Sequence, residues 1–444
     1  MKRFKIFLLA LSLMVGVDSA RAELLYIGDP SGGNFLGAIT PSGSGYEAHP
    51  FLVTGLKSGV SVSVFSYQDM LGRDRVLVNE YTAGSGNDVL SIYDPMDWSR
   101  PVHNTKAINC YSINGAAAAG RYLYITCSQK FVSNGDVGTA NLRSGSVIKL
   151  DMEDGYREVV RYNFEGLTDG YRNSAETYRR GQDIYVRNGK VYVLSMSYKT
   201  STPYDASEIF CFNENLDLEN KAWIEESSAP DDDSWTAGRN VNNMAFYEGN
   251  FYIAATGGTT GDTSKDGAIW KVTADDLTVT KLLTISEISR PTANMRGFHR
   301  ISISNTGVVF LVGYDYASSN YYSVLMRATV ADLDAGVAPN VTCLAYYDGA
   351  PGRVDLIYDE DDGTFWYMAN RRFAAYGEDG ILRASLAEDQ HKGTNNTVAF
   401  APVERLSLGD GSGGGDGAPS GCSAGVWGLV WLLVPALRLR RCGA

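Results

Sequence analysis

The chain has 444 residues, 44% hydrophobic and 11% aromatic, with 39 basic and 51 acidic side chains for a net charge of −12. That acidity argues against a nucleic-acid role, which needs a basic face to neutralise phosphates. The apolar content argues against disorder over the body of the chain, and by length alone the chain accommodates two or three domains.

The chain opens MKRFKIFLLALSLMVGVDSARA. Lys2, Arg3 and Lys5 precede an apolar stretch from Ile6 to Val17, and Ala20-Arg21-Ala22 is an A-x-A cleavage pattern, so residues 1–22 read as a secretory signal peptide. Without them and without the tail from residue 409, the body keeps 32 basic and 48 acidic residues, a net of −16. Such a body is expected to be soluble and repelled by nucleic acid and anionic membrane. Export permits disulfides. Of six cysteines, Cys422 and Cys442 lie in the tail, so this is not a disulfide scaffold.

From residue 23 one pattern recurs: a short apolar strand, a turn ending in glycine, then a strand of aromatic and β-branched residues. The copies are GRDRVLVNEY from Gly72, GRYLYITC from Gly120, GKVYVLS from Gly189, GNFYIAA from Gly249, GVVFLVG from Gly307 and GTFWYMAN from Gly363. Glycine supplies the positive φ that tight hairpins need, and the residues after it suit a buried, pleated surface. Each copy is followed by a variable loop and another strand: DVLSIYD, GSVIKLD, SEIFCFN, GAIWKVT, SVLMRAT and GILRASL. A further strand often follows, as in TVTKLLTI and VTCLAYY. Four strands in a unit of this length match a propeller blade.

The N-terminal LLYIGD (24–29) and FLGAIT (35–40) form a seventh, partial copy without its innermost strand. TVAFAPVERLSL (397–408) is the candidate to complete it and close the ring, which removes exposed edges. Residues 23–408 therefore read as one all-β, seven-bladed β-propeller, with six or eight blades as neighbouring possibilities and a pair of β-sandwiches as the competing fold. Motifs that would assign a particular propeller family are absent.

Cys110 and Cys127 bracket NGAAAAGR about equally, which places them across a hairpin and predicts a disulfide. Cys211 and Cys343 fall in different blades and read as buried free thiols.

In a propeller, the connections after the second and fourth strands share one face. Here they are the longer set, and long loops on a rigid scaffold are where function concentrates. They carry arginines and aromatics in an acidic protein. Tyr178, Arg179, Trp235, Arg239, Arg296, Arg353 and Arg371 are candidate ligand residues there, with Arg300 and Arg372 beside them. Arginine forks onto carboxylates or phosphates, and Tyr and Trp give contact area with a polar edge. The competing reading is solvated loops paired with nearby acids. Aligned on the turn glycine, Ser112, Asn114, Asp183, Asn242, His299 and Asp355 fall just before the innermost strands and would converge at the channel mouth. The competing reading is local hydrogen bonding at the strand starts.

Enzyme motifs are thin. There are four histidines, and no HExxH, CxxC, P-loop or G-x-S-x-G occurs. No metal or cofactor is expected, although calcium held by loop carboxylates and carbonyls stays open. Carboxylate pairs assembled in space leave no local motif. The sequence thus favours a ligand-binding protein for a saccharide, peptide or small anion, with an extracellular hydrolase or lyase, or a structural envelope component, as alternatives.

The chain ends in a Gly-rich linker, GDGSGGGDGAPSG (409–421), an apolar run from Ala424 to Leu437, and Arg438, Arg440 and Arg441. The run is short for a full bilayer span, and the arginines mark a cytoplasmic end. With SGCSAG ahead of the apolar run, residues 422–444 resemble the Synergistes-type C-terminal protein-sorting signal (Synerg-CTERM), similar in layout to the GlyGly-CTERM tails. The resemblance covers only this ending. It implies an envelope sorting protease as partner, membrane contact through the tail before processing, and display at the cell envelope or surface. It also implies Cys422 as a processing or lipid-attachment position.

Overall fold

A computed structural model describes residues 23–403 except 29–33, 43–44, 57–61, 82–87, 107, 109, 132–141, 165–176, 200–206, 226–239, 258–266, 289–294, 316–321, 349–353, 361, 370–371 and 388–400. Its strands form seven four-stranded antiparallel sheets arranged as a propeller. Blade 1 contains β1 (Glu23–Gly28), β2 (Asn34–Ser42) and β3 (Gly45–Leu56). Blade 2 runs β4 (Val62–Gln68), β5 (Asp74–Tyr81), β6 (Asp88–Tyr93) and β7 (His103–Lys106). Blade 3 is β8 (Tyr111–Ala119), β9 (Tyr122–Phe131), β10 (Leu142–Asp151) and β11 (Arg157–Asn163). Blade 4 is β12 (Thr177–Arg187), β13 (Lys190–Lys199), β14 (Ser207–Asn213) and β15 (Leu218–Ile224). Blade 5 is β16 (Val241–Tyr247), β17 (Asn250–Ala255), β18 (Ala268–Thr273) and β19 (Val279–Thr284). Blade 6 is β20 (Met295–Ile303), β21 (Val308–Asp315), β22 (Tyr322–Thr329) and β23 (Thr342–Asp348), with the short helix α1 (Val330–Asp334) between its last two strands. Blade 7 is β24 (Val354–Asp359), β25 (Thr364–Ala369), β26 (Arg372–Gly377) and β27 (Leu382–Leu386). The last strand, β28 (Ala401–Val403), returns to blade 1 as its innermost strand.

The seven-bladed reading and its closure hold. β28 pairs antiparallel with β1, Glu23 opposite Val403 and Leu25 opposite Ala401, so the two ends of the body share one sheet. The repeated turn also holds: Gly72, Gly120, Gly189, Gly249, Gly307 and Gly363 all have φ between 53° and 82°.

The strands are apolar on both faces because each middle strand sits between two neighbouring blades. Along β17, Phe251, Ile253 and Ala255 pack toward blade 4, while Tyr252 and Ala254 pack toward blade 6. Along β13, Val191 and Val193 face blade 3, while Tyr192 and Leu194 face blade 5. This is the period-two alternation of a pleated strand with a core on either side. The buried residues accordingly divide into seven clusters, one between each pair of adjacent blades. Outer strands lose this pattern, and β11 and β15 each begin with three exposed residues.

Three local expectations change. GILRASL is not the third strand of blade 7: RFAAYG forms β26, and LRASL supplies the outermost strand β27. The short run Phe373–Tyr376 was hidden between polar residues, yet it is buried against blades 6 and 1. Cys110 and Cys127 are bonded, with Cα atoms 5.4 Å apart, but not because they are hairpin partners. Asn114–Ala119 lies in β8, the turn falls at Gly120-Arg121, and Cys127 lies opposite Ile113. The bulge between Ile113 and Gly115 and the end of the ladder at Tyr111 let Cys110 reach across. Cys211 is a buried free thiol, whereas Cys343 is disulfide-bonded.

Closure by β28 is expected to hold the ring shut. A body ending at residue 396 should unfold at a temperature lower by about 5 °C or more than one ending at residue 408. Thermal unfolding of the two chains by circular dichroism measures this, and equal midpoints would show that the last strand adds nothing to closure.

Candidate functional site at the central channel

The innermost strands β4, β8, β12, β16, β20, β24 and β28 surround the channel. Each has one edge with no strand partner, and its backbone groups need other partners. Side chains of the neighbouring blade supply them. Asn79 Oδ1, on β5, accepts from the Ile113 N–H at 3.1 Å. Asn114 Nδ2 donates to the Gly181 carbonyl at 2.8 Å. Asp183 Oδ2 accepts from the Met244 N–H at 3.0 Å. Asn243 bonds Ile301 twice, accepting its N–H at 3.0 Å and donating to its carbonyl at 2.8 Å. Arg300 Nε donates to Asp355 Oδ1 at 3.3 Å. Five successive blade junctions, from blade 2 to blade 7, are thus tied by polar side chains.

A shared irregularity positions these groups. β8, β12, β16 and β20 each carry a bulge at equivalent height, and the extra residues are Asn114, Gln182, Asn242 and His299. A bulge re-aims the side chains on either side of it. The residues that the glycine alignment places just before the innermost strands, Ser112, Asn114, Asp183, Asn242, His299 and Asp355, lie within those strands. Ser112 has φ 69°, a conformation costly for a side-chain-bearing residue, and its hydroxyl donates to Asn114 Oδ1 at 3.2 Å. Asn242 bonds within its own blade, to the Asn240 carbonyl and Thr256 Oγ1. Its neighbour Asn243 makes the cross-blade contact, a slip of one residue. Asn79 and Asn243 were missed by sequence reasoning. The signal available for them is a polar residue interrupting an otherwise apolar strand.

Charge concentrates where blades 4, 6 and 7 meet the channel. Asp183 is half-buried, and burial pushes its carboxyl up to about 6, against the lowering effect of the Met244 and Ile184 N–H groups and of Arg300, with Asp355 adding to the rise. Arg300 and Asp355 pair with side chains 22% and 20% exposed, so the pair stays open to solvent. Desolvation and the adjacent Arg300 charge hold His299 well below the usual imidazole range, which keeps it neutral at pH 7. The cluster offers a carboxyl that titrates near 6, a carboxylate–guanidinium pair and a neutral imidazole. Together these groups provide donors, acceptors and a proton-exchanging acid. Among the described residues, no group of three or more His, Cys, Asp or Glu is arranged to hold a metal ion.

The loop candidates divide differently. Arg179 lies in β12 rather than in a loop, and it is taken up in a buried ion pair: its Nε donates to Glu208 Oε2, and the two side chains are 4% and 1% exposed. Its guanidinium also lies over the Trp223 ring at 5.8 Å, and Lys221 Nζ stands 3.8 Å from Glu208 Oε1. Arg372 is exposed at the start of β26. Tyr178 and Arg296 belong to β12 and β20, but their side chains fall outside the described residues. Trp235, Arg239, Arg353, Arg371 and Cys422 also lie outside them.

Two outcomes follow from these environments. Glu208→Gln leaves Arg179 buried without its counter-charge and is expected to cost about 3–5 kcal/mol of stability. The double change Arg179→Met, Glu208→Leu should cost distinctly less, because no charge is stranded; urea unfolding compares the two, and equal losses would rule out a coupled pair. For Asp183 the sign is set by its raised pKa. Between the ordinary carboxyl value of 3.8 and about 6, the folded protein holds a proton that the unfolded chain has released. Its stabilising contribution is therefore present below 3.8 and lost as pH rises through about 6, amounting to at most about 3 kcal/mol. The stability of the wild type relative to Asp183→Asn should fall across this window, and a flat difference in chemical unfolding at about pH 4 and about pH 7 would refute it.

No protein-family model matches the chain, and no curated protein sequence does. Solved structures resemble it in fold. The periplasmic gluconolactonase PpgL of Pseudomonas aeruginosa superposes with a TM-score of 0.54 at 10% identity, over 86% of this chain and 99% of that one. PorZ, a surface component of the type-IX secretion system of Porphyromonas gingivalis, gives 0.49 at 11% identity over 82% of this chain. A puromycin hydrolase gives 0.45 at 11% identity over 83%. This chain spans 47% and 53% of the lengths of those two. At 10% identity the likeness to PpgL establishes what the strands already show, a β-propeller.

Proposed function

We propose that the protein is exported to the cell envelope and binds a polar ligand or partner, a saccharide, peptide or small anion, at the channel face from which its innermost strands start. The observation that carries this reading is the convergence of Asp183, His299, Arg300 and Asp355 from three blades, with the Arg300–Asp355 pair partly open to solvent. Convergent polar groups on a rigid frame are what orients a small ligand. The frame is rigid because the same strands are tied blade to blade. The opening residues 1–22 support export. The tail supports an envelope address, with an envelope sorting protease as its partner and Cys422 as the processing or lipid-attachment position.

A second reading is favoured by one feature. A carboxyl titrating near 6 within electrostatic reach of Arg300 and a second carboxylate suits general acid–base chemistry. On that reading the protein is an extracellular hydrolase or lyase, and PpgL, named as a gluconolactonase, is a propeller of similar extent.

The two readings separate on one pair of measurements with residues 23–408. A binding panel of glycans, peptides and small anions is expected to return a ligand whose affinity falls about tenfold or more in His299→Ala or Arg300→Ala. A parallel turnover assay on sugar lactones, glycosides and phosphate esters is expected to show no reaction. Turnover abolished by Asp183→Asn would replace the binding reading with the enzymatic one, and neither binding nor turnover would remove the channel as the site.

A further inference from the structure

The face opposite the channel site carries the short turns, and the last described strand ends there. β4 runs from Val62 to Gln68 and enters the turn at residues 69–73. β28 packs beside β4 as the next innermost strand and runs in the same sense, so Val403 ends on the same face as Gln68. Glu23 lies opposite Val403. Everything that follows the body, including the apolar run Ala424–Leu437, therefore departs from the short-turn face beside blade 2.

Two turns of blade 2 on that face carry exposed apolar side chains. Met70 and Leu71 follow β4 and are 43% and 66% exposed; Met96 and Val102 lie between β6 and β7 and are 59% and 55% exposed. One arginine fastens the two turns together. Arg75 pairs with Asp69 at 3.2 Å and with Asp94 at 3.1 Å. Asp69 Oδ1 in turn accepts from the Leu71 N–H and Asp94 Oδ1 from the Met96 N–H, each at 2.9 Å. Arg73 adds a second cation to Asp69 at 2.8 Å. Asp69 and Asp94 under the patch are thus paired, while Asp97, exposed beside Met96, accepts from the Ser99 N–H with Arg100 nearby. The turns after β18 and β24 carry Asp275, Asp276, Glu360 and Asp362 with no basic residue, and the turn after β26 exposes Ile381 and Leu382 beside the Asp379–Arg383 pair. Exposed apolar groups over paired charges enter a membrane interface at little electrostatic cost, whereas unpaired acids resist it.

We infer that the blade 2 turns form a membrane-contact surface, in which Met70, Leu71, Met96 and Val102 rest in the headgroup region of a zwitterionic bilayer while the tail, before it is processed, holds the body there. This rests on the reading of residues 422–444 as a membrane-inserting tail. Twenty residues separate Val403 from Ala424, so the two lie no more than about 75 Å apart however the chain runs. Contact is then intramolecular in effect, so a weak patch suffices. The consequence is a fixed polarity of display: the short-turn face lies on the membrane and the channel site opens away from it.

The full chain in phosphatidylcholine vesicles tests this. A photo-crosslinking benzoylphenylalanine is placed at Leu71, at Met96, or at Asn163, the exposed last residue of the outer strand of blade 3 at the opposite face, as a control. Positions 71 and 96 are expected to form lipid adducts and position 163 none, and Met70→Asp with Met96→Asp should abolish the adduct at 71. A protein that floats with the vesicles yet crosslinks lipid no more at 71 and 96 than at 163 overturns the contact surface and leaves the anchor standing. Adducts to protein in place of lipid overturn it as well. A protein that does not float overturns the anchor reading and the contact surface with it.

Discussion

Burial between blades is the constraint on which the rest of this structure depends. No single four-stranded sheet here has a core of its own. Each buries one face against the blade before it and the other against the blade after it, and blade 1 reaches both neighbours only if the ring closes. The short pairing of β28 with β1 therefore matters beyond its few hydrogen bonds. It places Leu24 and Tyr26 against Trp366 and Phe373 of blade 7, while Leu25 and Ile27 face Val64 and Val76 of blade 2.

Closing a ring creates a second requirement. The innermost strands present an edge to the channel, and unpaired backbone groups are expensive in a crowded interior. Asn79, Asn114, Asp183 and Asn243 meet that requirement by bonding the backbone of the next blade, whereas Arg300 bonds the Asp355 side chain of blade 7. Structure and candidate chemistry therefore share residues. Asp183 is both a tie between blades 4 and 5 and the carboxyl with the raised proton affinity, because the burial that makes it a useful tie also disfavours its charge. Such a site is stiff, and its polar groups cannot be altered without some effect on the ring.

The chain's own direction orders the two faces. Innermost strands begin at the face that carries the candidate site and end at the face that carries the short turns, and the closing strand obeys the same sense. The proposed ligand site, within the innermost strands, and the proposed membrane contact, at the turns that follow them, are thereby separated along the strand direction. The apolar turns of blade 2 and the charged cluster of blades 4, 6 and 7 do not compete for the same surface.

The repeat of glycine followed by an aromatic, β-branched strand was legible because hairpin turns impose a local conformation that one residue type satisfies best, and six copies at similar spacing fixed the architecture. The blade count and the closing strand followed from the missing innermost strand of the first blade. The position of the channel residues was legible to within about one residue, as Asn242 and Asn243 illustrate, because bulges shift the register and arise from packing between blades rather than from any one strand. The roles of Arg179 and Arg300 were not legible. Each had the same appearance in sequence, an arginine near a strand start, but one is sealed against Glu208 and the other lies partly open beside Asp355. Local conformation is written in neighbouring residues, so the sequence alone determined the strands, the turns and the ring. Burial and charge pairing depend on residues dozens of positions apart, so only the tertiary structure decided which polar groups hold blades together and which remain available to a ligand.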